Sequence, residues 1–176
     1  MIEDLLRALR QPEYVHTLLN PLPIYGLILA TVGLVVALLM RSRPAQITAL
    51  LLVLISALAA WPAIYFGERA YDHVLTLADP DGRAWLEAHA DRAERLAYLF
   101  YALAATAALA LLLPRKWPAL AMPLAIATLL LALVSLGAGA SIAYAGGKIR
   151  HREFRTVPPP ERDADRGERR VPGDRG

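Results

Sequence analysis

The sequence predicts an all-α fold: an integral membrane four-helix bundle, antiparallel, with both termini on the same side. Three observations carry this. First, charge is segregated. The 176 residues are 56% hydrophobic and carry 35 charges, yet the windows 22–40, 45–66, 96–113 and 118–147 contain no Asp, Glu, Lys or Arg. Second, those windows are 19, 22, 18 and 30 residues long, and ~20 apolar residues cross the hydrocarbon of a bilayer as a helix. In lipid each such segment must satisfy its own backbone hydrogen bonds, so each is read as a helix. Third, the links at 41–44 and 114–117 are four residues each, short enough only for tight antiparallel hairpins.

In chain order, residues 1–20 read as an amphipathic N-terminal segment. Ile2, Leu5, Leu6 and Leu9 share one helical face while Glu3, Asp4, Arg7 and Arg10 lie elsewhere, the pattern of a helix lying on a membrane surface. The transmembrane domain, 21–150, follows. Its first helix, about 22–40, opens between Pro21 and Pro23, where missing amide donors matter least. Arg41-Ser42-Arg43 follows it where a signal peptide would carry small residues at a cleavage site. The second helix, 45–66, extends toward 77. Asp79-Pro80 reads as an N-cap with proline at the first helical position. From there Trp85, Ala88, His89, Arg92, Ala93 and Leu96 keep helical spacing, so the third helix is 80–113. The fourth is about 120–147. The segment 151–176, with Pro158-Pro159-Pro160 and balanced charges, reads as a disordered charged tail. A hairpin duplication is conceivable, but no residue match between the halves stands out.

Absent cysteine excludes a disulfide framework, a cysteine zinc site, an iron–sulfur cluster and covalently attached haem. Absent ionisable groups within the spans argue against a proton relay, an ion pump or a haem buried at mid-membrane. Charge balance in the tail argues against nucleic acid as a partner.

Crossing parity places the two tight turns, with Arg41, Arg43, Arg115 and Lys116, on one face. It places His16, His73, His89 and His151 and every acid on the other, with twelve of the thirteen aromatic residues at or beside it. A strict count of lysine and arginine near the spans favours the termini inside, whereas basic density per turn residue favours the turns inside; the expectation follows the second, with the termini and the 67–95 connection outside. Any chemistry is expected on the histidine face. Imidazoles with carboxylates bind divalent metals, and two imidazoles on facing helices ligate haem. The expected cofactor residues are His16 and His89, and the expected metal set is His16, Glu68, His73 and His89. The cofactor would be haem b or a divalent metal. Catalytic residues are not evident.

Small residues recur every four positions at Ser135, Gly139, Ala143 and Gly147, and at Ala102, Thr106 and Ala110. Such stripes permit close helix packing, within the bundle or with a second copy or another subunit. The run Lys148–Arg155 suits lipid headgroups or an acidic partner.

The stretch His16-Thr17-Leu18-Leu19-Asn20-Pro21-Leu22-Pro23-Ile24 resembles the opening of a bacterial four-helix membrane family known as domain of unknown function 2231. The further matching positions are Gly67 with Glu68, and His89. Thr17 stands where the family's opener has proline, and Asn20-Pro21 stands where many members have a second histidine. The resemblance implies the same four-helix architecture in the bacterial inner membrane and leaves the activity open. The expectation is a non-enzymatic scaffold or accessory subunit of a membrane complex. The alternative is a redox or metal/haem-binding protein using the one-sided His/aromatic cluster. A transporter ranks third, for want of polar groups at mid-membrane.

Overall fold

The computed structural model describes residues 2–160, and every regular element among them is helical. Four stretches are long and apolar enough to cross a membrane: Pro12–Leu39, Arg43–Leu77, Pro80–Arg115 and Pro118–Arg150. Helix α1 (Ile2–Ala8) buries nothing. Helix α2 (Pro12–Leu19), with proline in its first turn, packs against α5 (Ala60–Leu77). The N-terminal segment expected at 1–20 is therefore divided: only its first turns stand apart, and the remainder joins the bundle.

Between α2 and α3 (Leu27–Leu39) the backbone widens to a π-turn at Leu22–Gly26. Pro21 and Pro23 lack the amides that would keep the regular ladder. Helix α4 (Arg43–Leu58) is capped by Ser42, whose hydroxyl accepts from the Ala45 amide. The second stretch breaks at Ala59, between α4 and α5. Pro62, in the first turn of α5, cannot donate to the Leu58 carbonyl, and its ring crowds that oxygen. Helix α6 (Pro80–Leu112) and helix α7 (Ala121–Arg150) are unbroken.

The interior is built largely from alanine with a few larger side chains. Leu27, Ala30 and Leu34 of α3 meet Leu50, Val53 and Ala57 of α4. Leu103, Ala107 and Ala110 of α6 and Ala132 of α7 complete the core. Small interior side chains let helix axes approach closely. The large apolar side chains Leu29, Leu39, Ile55 and Leu130 point outward. The α7 stripe of small residues is used inside the fold: Ser135 is fully buried, its hydroxyl donating to the Leu131 carbonyl, and Gly139 faces Ile24 and Phe100. On α6, Ala102 remains exposed.

Asp79 ties the chain's far end to this frame. Its Oδ1 accepts from the Gly82 amide at 2.7 Å, capping α6 as the sequence indicated. The same carboxylate accepts from Arg155 at 2.9 and 3.0 Å and pairs with Arg152 at 2.7 Å. Arg155 also donates to the carbonyls of Lys148 and Ile149. A side chain at Gly82 would collide with the Ile149 carbonyl. Residues 152–154 consequently form a 3-10 turn. This corrects the disordered segment expected from 151, because an arginine pair needs an anchored carboxylate and Asp79 supplies one. The expected disorder at 161–176 lies outside the described residues.

The Arg155 guanidinium, then the Gly82 amide, hold the Asp79 carboxyl down to about 2 from 3.8. A carboxylate with a lowered pKa contributes stability above its unfolded value and loses it as pH falls through the folded one. Protection of the amides at 152–155 should therefore persist down to about pH 4 and disappear between pH 4 and 2. Asp79→Asn should show the acid-state exchange already at neutral pH, as read by hydrogen exchange.

Candidate functional site: two clamped histidines

His16 lies on α2 and His89 on α6, far apart in sequence, yet their ring centroids are 6.2 Å apart and the planes meet at 82°. Each ring is fixed from behind by a neighbouring helix. His16 Nδ1 donates to the Ala63 carbonyl of α5 at 2.7 Å, and His89 Nδ1 donates to the Ile142 carbonyl of α7 at 2.9 Å. A carbonyl only accepts, so Nδ1 carries the proton in both rings. In the neutral imidazole, Nε2 then holds a bare lone pair. That is the tautomer a metal binds, and the backbone bond to the opposite nitrogen is the usual means of orienting such a ligand.

The clamp depends on glycine. Four residues after each acceptor carbonyl stands a glycine, Gly67 and Gly146. A Cβ at Gly67 would lie 3.0 Å from both Cε1 and Nδ1 of His16 and 3.8 Å from Cγ. At Gly146 the three distances to His89 are the same. The ring thus lies over a helix turn with no side chain and reaches a carbonyl that any other residue would shield.

The halves repeat further. Tyr65-Phe66-Gly67-Glu68-Arg69 corresponds to Tyr144-Ala145-Gly146-Gly147-Lys148. Arg69 lies over the Tyr65 ring at 4.6 Å and Lys148 over Tyr144 at 3.9 Å. Tyr25 follows His16 by nine positions, as Tyr98 follows His89. The residue match between hairpins missing at the sequence level is therefore present. It is carried by one histidine in the first helix and a Tyr-x-Gly-x-Arg/Lys run in the second.

The remaining expected ligands are elsewhere. His73 is exposed, with Nε2 3.6 Å from Glu13. Glu68 is exposed on α5. His151 bonds Glu153 at 3.0 Å and stacks on Phe154. Among the described residues no group of three or more His, Cys, Asp or Glu could hold a metal ion. The set of His16, Glu68, His73 and His89 is thus not brought together; two of the four meet. Crossing parity assigns a residue to a face of the bundle but not to a rotation about its helix, and rotation separates these four. The aromatic side chains do not form a cup around the pair: Tyr25, Trp61 and Tyr98 point outward, while Trp85 and Phe100 are buried.

Comparison with protein-family models, characterised proteins and solved structures finds no match to this chain.

In an open helix, replacing glycine by alanine stabilises by about 1 kcal/mol. Gly67→Ala and Gly146→Ala are expected to do the reverse and destabilise by about 1–3 kcal/mol, because the ring must leave its carbonyl. Gly137→Ala, at a position with nothing within 4 Å, should stabilise and serves as the control. Thermal unfolding in detergent reads all three.

Proposed function

We propose that this protein is a multi-pass membrane protein that holds one non-covalent haem b between His16 and His89 and passes single electrons. The observation that carries this reading is the 6.2 Å spacing of two imidazoles whose Nδ1 protons are both fixed on backbone carbonyls. Metal–imidazole bonds are about 2 Å. Adding the distance from each ring nitrogen to its ring centre places two rings sharing one metal about 6 Å apart. Two side-chain nitrogens alone are too few for a tetrahedral zinc site. They suit an iron whose other four ligands come from a macrocycle. The absence of cysteine requires the haem to be held without thioether bonds.

The protein's part is to bind and orient. The Ala63 and Ile142 carbonyls set the tautomer and ring planes, and the two glycines admit the rings to them. Bound haem would supply the one-electron couple. A haem held by both histidines would be suited to electron transfer rather than to substrate chemistry.

This reading includes an antiparallel bundle in a bacterial inner membrane and the kinship with domain of unknown function 2231. Outward-facing Leu29, Leu39, Ile55 and Leu130 suit a lipid surround. Side-chain contacts between α6 and α7 follow one trend, from His89–Ile142 and Arg92–Ser141 to Leu99–Ser135, which supports antiparallel packing of these two helices. With the basic turns inside, the histidine pair and both termini lie toward the outer side. A role as subunit of a larger electron-transfer complex is compatible with this chemistry.

Full-length protein purified from its native host should carry one haem b per chain by pyridine haemochrome. His16→Ala and His89→Ala should each lose the haem or its low-spin spectrum, while His73→Ala and His151→Ala keep both. Wild-type protein with no Soret band, or equal losses in all four variants, would refute the assignment.

A further inference from the structure

Next to the histidine pair lies a second cluster that this function does not use. Lys148 is 3% exposed and Trp85 2% exposed. Trp85 precedes His89 by one helical turn on α6, and Lys148 follows Gly146 by two residues on α7. The Lys148 Nζ stands 4.4 Å above the Trp85 ring and 3.9 Å above the Tyr144 ring, and donates to the Tyr144 hydroxyl at 2.6 Å. Among the described residues it has no ion pair with a carboxylate. The Trp85 indole Nε1 is buried without any hydrogen-bond partner.

Both groups are donors. An ammonium has three N–H groups and an indole has one, and neither can accept. The cage thus holds more buried donors than acceptors together with an uncompensated positive charge. Buried charges are ordinarily paired, and buried indole N–H groups ordinarily bonded. Aromatic faces stabilise the cation in part, but they do nothing for the indole N–H, which lies in its ring's own plane. The missing component is an anionic acceptor. The counterpart in the other hairpin, Arg69, is exposed over Tyr65, so the buried form is peculiar to the second hairpin. Arg155, a partly buried basic group near this end, is already matched by Asp79.

We infer that Lys148 and the indole N–H of Trp85 form a receptor for a carboxylate, and that this carboxylate is a propionate of the haem held by His16 and His89. The inference rests on the haem reading above. The cage is about one helical turn from His89 along α6, toward the end of the bundle where α6 begins and α7 ends, which is where the polar edge of a haem between the two rings would find water or a cation. Tyr144 is half exposed and is the wall that can move aside. A propionate would then replace its hydroxyl as the acceptor for Lys148.

The test titrates full-length apoprotein in detergent with haem b and with its dimethyl ester, in which both propionates are neutral. Wild type should bind haem b about tenfold more tightly than the ester, the value of one charge-assisted bond. Lys148→Met should remove that preference by weakening haem b alone, leaving ester affinity as in wild type. Trp85→Phe should reduce the preference in part. A wild type that binds both equally well, or a Lys148→Met that weakens both alike, would overturn the carboxylate receptor while leaving the histidine site intact. A wild type that binds neither would overturn the haem reading and this inference together.

Discussion

The arrangement of this molecule depends on one hydrogen bond made twice: an imidazole N–H donating to a helix carbonyl that already belongs to the helix ladder. A carbonyl oxygen has two lone pairs, so the second bond is available in principle. In practice the side chain one turn onward shields it. Glycine removes that shield at Gly67 and Gly146. The consequences run upward through every level. The bond selects the tautomer, holds the ring plane, and fixes the direction of the free nitrogen. Because the two acceptors are on α5 and α7 while the donors are on α2 and α6, it also ties each hairpin together at the end where the two rings meet.

Much of the architecture was open to reading from sequence because it follows from solvent. Uncharged windows, short basic turns and the Asp79-Pro80 cap each have a local cause, and the third and fourth helices fall within a few residues of their expected limits. Local effects of proline were harder. Pro62 breaks the second stretch at Ala59, and Pro21 with Pro23 opens a π-turn. Neither was anticipated, since proline near a helix start is usually tolerated.

The site was legible in part. His16 and His89 were singled out, but so were His73 and Glu68, because only a helix's rotation distinguishes a ligand from a surface histidine on the same face. Gly67 entered only through a family resemblance. On α7 the four-residue rhythm drew attention to Gly147, whereas the ring lies over Gly146. The informative signal was the repeated Tyr-x-Gly-x-Arg/Lys run. Its meaning depends on knowing that a histidine from another helix lies above each glycine, which is a tertiary fact. The cage of Lys148 and Trp85 was equally hidden, since a lysine in a basic juxtamembrane run looks like any other snorkelling cation.

Ionisable groups are missing from the middle of the spans, and the paired histidines stand nearer the end of the bundle where α6 begins and α7 ends. In the proposed reading, such placement would keep the haem close to the surface of the bundle and would need no proton path through the middle of the spans. The central claim is that His16 and His89 share one iron with nearly perpendicular rings. Electron paramagnetic resonance of the oxidised, natively purified protein tests it most directly. Perpendicular axial imidazoles leave the iron orbitals nearly degenerate, so the expected result is a low-spin signal of the large-g-maximum type. A high-spin signal, or a low-spin rhombic signal that survives in His89→Ala, would contradict the account.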